Sequence, residues 1–84
     1  MSLLNLKRTA YEIIWEILDY CREPRKLTHI IQACNLNTPT TQKYLSLLVQ
    51  KNMLSMSEKS YKTTKEGLKY LKLIEEIYLA LFSK

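Results

Sequence analysis

The sequence is poor in the residues that chemistry usually requires. Its single glycine, Gly67, leaves no glycine-rich loop to cradle a nucleotide phosphate. Its single histidine, His29, stands at no catalytic spacing from a cysteine. Two cysteines, Cys21 and Cys34, are too few for a disulfide framework and match no zinc pattern, so they read as buried thiols. These absences point away from an enzyme: no catalytic residue, metal ligand or cofactor site is expected. No apolar run approaches the roughly 18 residues of a membrane span, and the first residues lack the charged start and apolar stretch of a signal peptide. The expected location is therefore the cytoplasm. Acidic residues are missing altogether between Glu23 and Glu58.

What is present is one soluble domain's worth of chain. Its 84 residues, 46% hydrophobic and 25% charged, suit a single domain over 1–84. A chain of this size buries only about 60–65% of the surface that its unfolded form exposes, and pairing with a second copy is a common remedy. The net charge of +5 is unevenly spread. Between Pro24 and Lys65 seven basic residues face one acid, Glu58, whereas the remainder carries six basic and seven acidic groups. One face built for a polyanion is the physical reading of that asymmetry.

Periodicity supplies the elements. Thr9 and Glu12 form a capping box, and Ala10, Ile13, Ile14, Ile17, Leu18 and Cys21 then mark one face of a first helix. Glu12, Glu16 and Asp19 line the other side, and an acidic helix faces away from nucleic acid. Tyr11 and Trp15 widen its apolar surface and read as packing residues. Pro24 interrupts the helix, and 22–26 becomes a connection in reach of a sheet edge. Thr28 is the expected cap of a short second helix to Cys34, with Ile30, Ile31 and Ala33 partly inward. Asn35 is a left-handed stop. Thr38 and Pro39 suit the N-cap and first position of a third helix. Its buried line is Thr41, Leu45 and Leu48, with Tyr44 and Val49 beside it.

Met53, Leu54 and Met56 alternate with Ser55 and Ser57 as a strand, and 57–60 is a polar turn into a second strand, 61–63. Thr64 or Thr63 caps a last helix reaching Phe82. Its end, 77–82, is apolar all round, which calls for burial on more than one side. The order helix, helix, tight turn, helix, hairpin, helix is that of a winged helix-turn-helix, mainly α with a small β-hairpin. The core would span 9–63 and a dimerisation helix 64–82. Thr38, Pro39, Thr40, Gln42, Lys43 and Ser46 are the candidate DNA contacts of the third helix, and Lys59 and Lys62 those of the wing. Arg25 and Lys26 are weaker candidates. Tyr70, Leu71, Ile74, Ile77, Tyr78, Leu81 and Phe82 are the candidate dimer interface.

The stretches LNTPTTQKYLSLLVQKNML and YKTTKEGLKYL resemble archaeal winged-helix proteins of the small chromatin and regulator type, the Sso10a-like group. The shared elements are Tyr44–Leu45, Leu47–Leu48, Met53–Leu54, Tyr61, Thr64 and Gly67, and the resemblance spans 8–82. Asn52 stands where the group usually has glycine. The resemblance implies an archaeal origin, cellular or viral, and binding of double-stranded DNA as a homodimer. It further implies that the last helices pair as an antiparallel coiled coil, compact here because that helix is short. The expected function is a transcriptional regulator or a chromatin-type, nucleoid-associated binder. The alternative is a winged-helix module that binds another protein and little DNA.

Overall fold

The computed structural model describes residues 9–82, so positions 1–8 and 83–84 of the expected domain lie outside the described residues. Seven elements follow in chain order: α1 (Ala10–Tyr20), β1 (Arg25–Lys26), α2 (Leu27–Cys34), α3 (Thr38–Gln50), β2 (Leu54–Ser57), β3 (Ser60–Thr63) and α4 (Lys65–Phe82). The molecule is mainly helical, as the periodicity indicates. The connection after α1 contributes a third strand: the sheet is antiparallel with order β1-β3-β2, and Arg25 lies opposite Tyr61.

Local chemistry explains most boundaries. Thr9 Oγ1 accepts from the Glu12 amide at 3.1 Å, and the Glu12 carboxylate accepts from the Thr9 amide in return. Asn35 ends α2 with φ 53°, and Asn52 follows α3 with φ 62°. Asn tolerates this left-handed region better than most residues, which is why it can stand in for glycine at 52. Two starts differ from expectation. α2 begins at Leu27 behind Lys26, which makes no side-chain cap, because the chain passes straight from its pairing with Ser60 into the helix. Thr28 is therefore inside the first turn. In α3 the cap is Asn37, not Thr38: its side chain accepts from the Thr40 amide at 2.8 Å.

The core is built from Ile13, Ile17, Leu18 and Cys21 of α1 and its cap, Ile30 and Cys34 of α2, Leu45 and Leu48 of α3, Leu54, and Leu71 of α4. Ala10, Ala33 and Val49, expected inward or beside the buried line, are exposed. Met56 is exposed too, because the hairpin projects past the core and leaves it only Tyr61 across the strand. Burial pushes the Cys21 thiol up to about 12, helped by Cys34 and opposed by Arg25, so at neutral pH it is an inert thiol. The tip of the hairpin places both Glu58 (φ 51°) and Lys59 (φ 64°) in the left-handed region, the type I′ pattern that suits the strand twist. Neither is glycine or asparagine, so the wing tip is strained by about 1–2 kcal/mol per residue.

The last helix is fastened at its start. Thr63 donates its amide to Cys21 O (2.8 Å) and its hydroxyl to Leu18 O (2.7 Å), tying β3 to the end of α1. Thr64 donates its amide to Met53 O (3.0 Å) and its hydroxyl to Asn52 O (2.7 Å), while the same hydroxyl caps α4 by accepting from the Gly67 amide (3.0 Å). A Cβ at Gly67 would run into the Met53 carbonyl and sit 2.6 Å from Thr63 Cγ2. Beyond this anchor only Leu71 of α4 is fully buried, 1% exposed in the chain's own core. Leu71 is therefore corrected from interface to core residue: the first turns of α4 pack inward, and only its far half is left over.

Gly67→Ala is expected to lower stability by about 2–3 kcal/mol, since the obstacle is backbone that cannot rotate away. Thermal unfolding should shift down by roughly 10–20 °C, given about 4–8 °C per kcal/mol for a domain of this size.

Candidate nucleic-acid interface

α2 and α3 are joined by three residues, Asn35, Leu36 and Asn37, the tight turn of a helix-turn-helix. Leu36 packs against the core, and Leu36 N–H donates to Ile31 O at 3.1 Å, which fixes the angle between the helices. α3 then buries Thr41, Leu45 and Leu48. Thr41 is a polar residue on that line because its hydroxyl donates to Asn37 O at 2.8 Å. The opposite face is left to solvent: Thr38, Pro39, Gln42, Lys43, Ser46 and Gln50 are exposed, and Thr40 is half-buried. Pro39 forfeits no hydrogen bond in the first turn. The exposed face carries amide, hydroxyl and ammonium groups and no carboxylate.

The hairpin stands beside the end of α3, held by Met53 N–H donating to Leu48 O at 2.8 Å. Its register pairs Ser55 with Lys62 and Ser57 with Ser60, so these four side chains share one face of the wing. With Pro24 and Glu58 they line a shallow recess of about 250 Å³. Lys59 and Lys62 are exposed. The three wing serines and Asn37 were not among the sequence-based candidates. Asn before Thr-Pro is itself a strong capping signal, and strand alternation puts the serines with Lys62 once the turn is known.

Arg25, one of the weaker candidates, is half-buried and engaged within the domain. Its Nε donates to Tyr20 O at 2.9 Å, and its guanidinium lies 4.4 Å over the Tyr20 ring, locking β1 against α1. Apart from Glu58 at the wing tip, the nearest cluster of carboxylates lies elsewhere: Glu12, Glu16 and Glu75 line an apolar groove between α1 and α4 to which α3 contributes nothing. The other interface candidates fall on α4 as follows: Tyr70, Ile77, Leu81 and Phe82 are exposed, and Ile74 and Tyr78 are half-buried. Among the described residues no group of three or more His, Cys, Asp or Glu could hold a metal ion, and no helix is long and apolar enough to cross a membrane.

Comparison with known proteins agrees with this geometry. The sequence matches the winged helix-turn-helix family over residues 7–81. The chain is similar to the crystal structure of Sso10a-2, a DNA-binding protein from Sulfolobus solfataricus, with a TM-score of 0.77 and 30% sequence identity. That likeness covers 90% of this chain and 87% of the other. No match was found among curated proteins.

The displaced cap can be checked directly. Asn37→Ala should cost about 1 kcal/mol in denaturant unfolding, because a first-turn amide loses its acceptor. Thr38→Ala should stay within about 0.5 kcal/mol of the parent.

Proposed function

This chain belongs to the winged helix-turn-helix family, and from that premise we propose that it binds double-stranded DNA as a homodimeric transcriptional regulator or nucleoid-associated protein. The observation that carries the reading is the acid-free exposed face of α3, flanked by the wing lysines Lys59 and Lys62. At about 1.5 Å per residue its 13 residues give a rod of about 20 Å, which a major groove about 12 Å wide admits. The residues assigned to DNA are Thr38, Pro39, Thr40, Gln42, Lys43 and Ser46 of α3 with Lys59 and Lys62 of the wing. Gln42 suits a bidentate contact to adenine, and Lys43 suits a guanine edge or a phosphate. In the first turn Asn37 takes the Thr40 amide and Pro39 has none, which leaves the Thr38 amide to favour a phosphate. Lys59 and Lys62 neutralise phosphates and set register without reading sequence. The likeness to a DNA-binding protein supports the same reading.

With no arginine on α3, backbone grip outweighs base discrimination. A residual preference would rest on Thr40, Gln42 and Ser46. The single folded unit, α4 as the pairing helix and a cytoplasmic site of action belong to this proposal.

Duplex affinity should fall steeply with salt. Counting Lys43, Lys59 and Lys62 on each of two copies gives about six phosphates, hence roughly a 1,000-fold loss between 50 and 200 mM salt. Lys59→Ala should weaken all sequences alike and flatten the salt slope, whereas Gln42→Ala should relax sequence preference. Titrations by fluorescence anisotropy check both, and absence of binding at low salt would favour the protein-interaction module instead.

The dimer has its own measurement. Leu81 is 68% exposed and makes no core contact, so Leu81→Asp should leave the fold intact. It should yield monomers in sedimentation equilibrium and weaken DNA binding at least tenfold. A dimer that persisted would place the pairing surface off the end of α4.

A further inference from the structure

Between Glu23 and Glu66 the chain carries a single carboxylate, Glu58, and it stands at the tip of the wing. Three things set this residue apart. A carboxylate beside Lys59 and Lys62 weakens the attraction that those lysines offer to a polyanion. Its backbone sits at φ 51°, a position that a two-residue hairpin turn ordinarily gives to Asn, Asp or Gly. Although lysines flank it, its exposed carboxylate holds no ion pair and no hydrogen bond among the described residues. The fold makes no use of it. Strain of this kind persists where the residue has a use that a relaxed turn could not serve.

We propose that Glu58 is a specificity determinant: its carboxylate accepts from the 2-amino group of guanine in the minor groove, so that the wing selects a G·C pair and rejects A·T. This rests on the DNA-binding reading above and adds a second point of discrimination to the face of α3. The chemistry follows from what each group can do. An ionised carboxylate accepts hydrogen bonds and donates none. Phosphates, adenine N3 and thymine O2 are acceptors too, so along the backbone and at an A·T pair Glu58 meets only repulsion. The guanine 2-amino group is the one base donor in that groove. The charge that costs affinity elsewhere therefore supplies the discrimination, since selectivity is a difference between partners and a repulsive element against the wrong one creates it. The wing lysines and serines cannot do this, because acceptors are present at both kinds of pair.

The placement of the wing favours the minor groove. With α3 in the major groove, the hairpin is held to the end of that helix by Met53 N–H on Leu48 O (2.8 Å) and falls over the flank of the groove, where the phosphates and the adjacent minor groove lie. Two strands about 4.8 Å apart make a ribbon whose tip, and not its body, suits a groove about 6 Å wide. Ser57 opposite Ser60 closes that ribbon, which leaves Glu58 and Lys59 as its tip. Glu58 also lines the wing recess with Lys62. A lysine can then take a phosphate at the rim of the groove while the carboxylate meets a base edge.

Four short alternating duplexes isolate the amino group. G·C and inosine·C present the same major-groove edges and differ in the 2-amino group of the minor groove. Diaminopurine·T and A·T differ in the same way. In fluorescence-anisotropy titrations at low salt, the wild type should favour the member of each pair that carries the amino group by roughly fivefold or more. Glu58→Gln removes the charge and offers a donor as well as an acceptor. It should bind all four duplexes more tightly and bring both ratios within about twofold of one. Its thermal midpoint should match that of the wild type, because the side chain is exposed. Wild-type ratios near one, with Glu58→Gln tighter on every duplex, would make Glu58 a uniform brake on binding and overturn the inference. A preference that survives in Glu58→Gln assigns the amino group to another residue. Equal binding of G·C and inosine·C, both above A·T, moves the contact to the major groove and overturns the placement. A wild type that binds no duplex at low salt overturns the DNA-binding reading itself, and this inference falls with it.

Discussion

Everything in this fold passes through the short junction Thr63–Thr64. Two consecutive threonines spend both amides and both hydroxyls on four carbonyls from two places: Leu18 and Cys21 at the end of α1, Asn52 and Met53 after α3. The Thr64 hydroxyl also caps α4. A single site thus joins the first helix, the helix-turn-helix, the wing and the last helix, and the sole glycine of the chain lets the helix come close enough to do so. Burial makes the arrangement strong, because Thr63 is almost without solvent access and a hydroxyl there has no alternative partner. The direction in which α4 leaves the domain is set at this point.

That direction separates two surfaces with opposite character. The acid-free face of α3 and the wing lysines lie on one part of the molecule. The carboxylates Glu12, Glu16 and Glu75 gather at the α1–α4 groove with the exposed apolar end of α4. A polyanion is attracted to the first and repelled from the second, so the pairing proposed for α4 would leave the proposed DNA face uncovered. Arg25 illustrates the division from within. Although it sits in the basic stretch, its charge is committed to Tyr20 and the edge strand, and the positive field comes from lysines on flexible stems.

Much of the fold was legible in the sequence because its signals are local. The Thr9–Glu12 box, the left-handed Asn35 and Asn52, and the i, i+3, i+4 pattern of α1 each depend on residues within four positions of one another. The candidate site was legible for the same reason: helical spacing alone puts Gln42, Lys43 and Ser46 opposite Leu45 and Leu48. The misplacements have a common cause as well. Thr38 and Asn37 are both good caps, and the choice between them fell to how the turn after α2 delivers the chain. Met56 alternates correctly with the serines but lies past the end of the core, a fact about the hairpin's projection and not about its pattern.

The sequence by itself determined the four helices and the hairpin, their order and how charge divides along the chain, but not the edge strand β1. These follow from backbone preferences and from residue type, which need no distant partner. Tertiary structure alone decided which apolar residues are spent and which are spare. Leu71 and Ile77 lie on the same helix with the same chemistry, yet one is 1% and the other 60% exposed. The difference comes from contacts 45 and 60 residues apart in the chain, Thr63 on Leu18 and Glu75 on Trp15, which fix where α4 runs out of domain to cover it. Hydrophobicity is a property of the residue. Burial is a property of the neighbours that packing supplies.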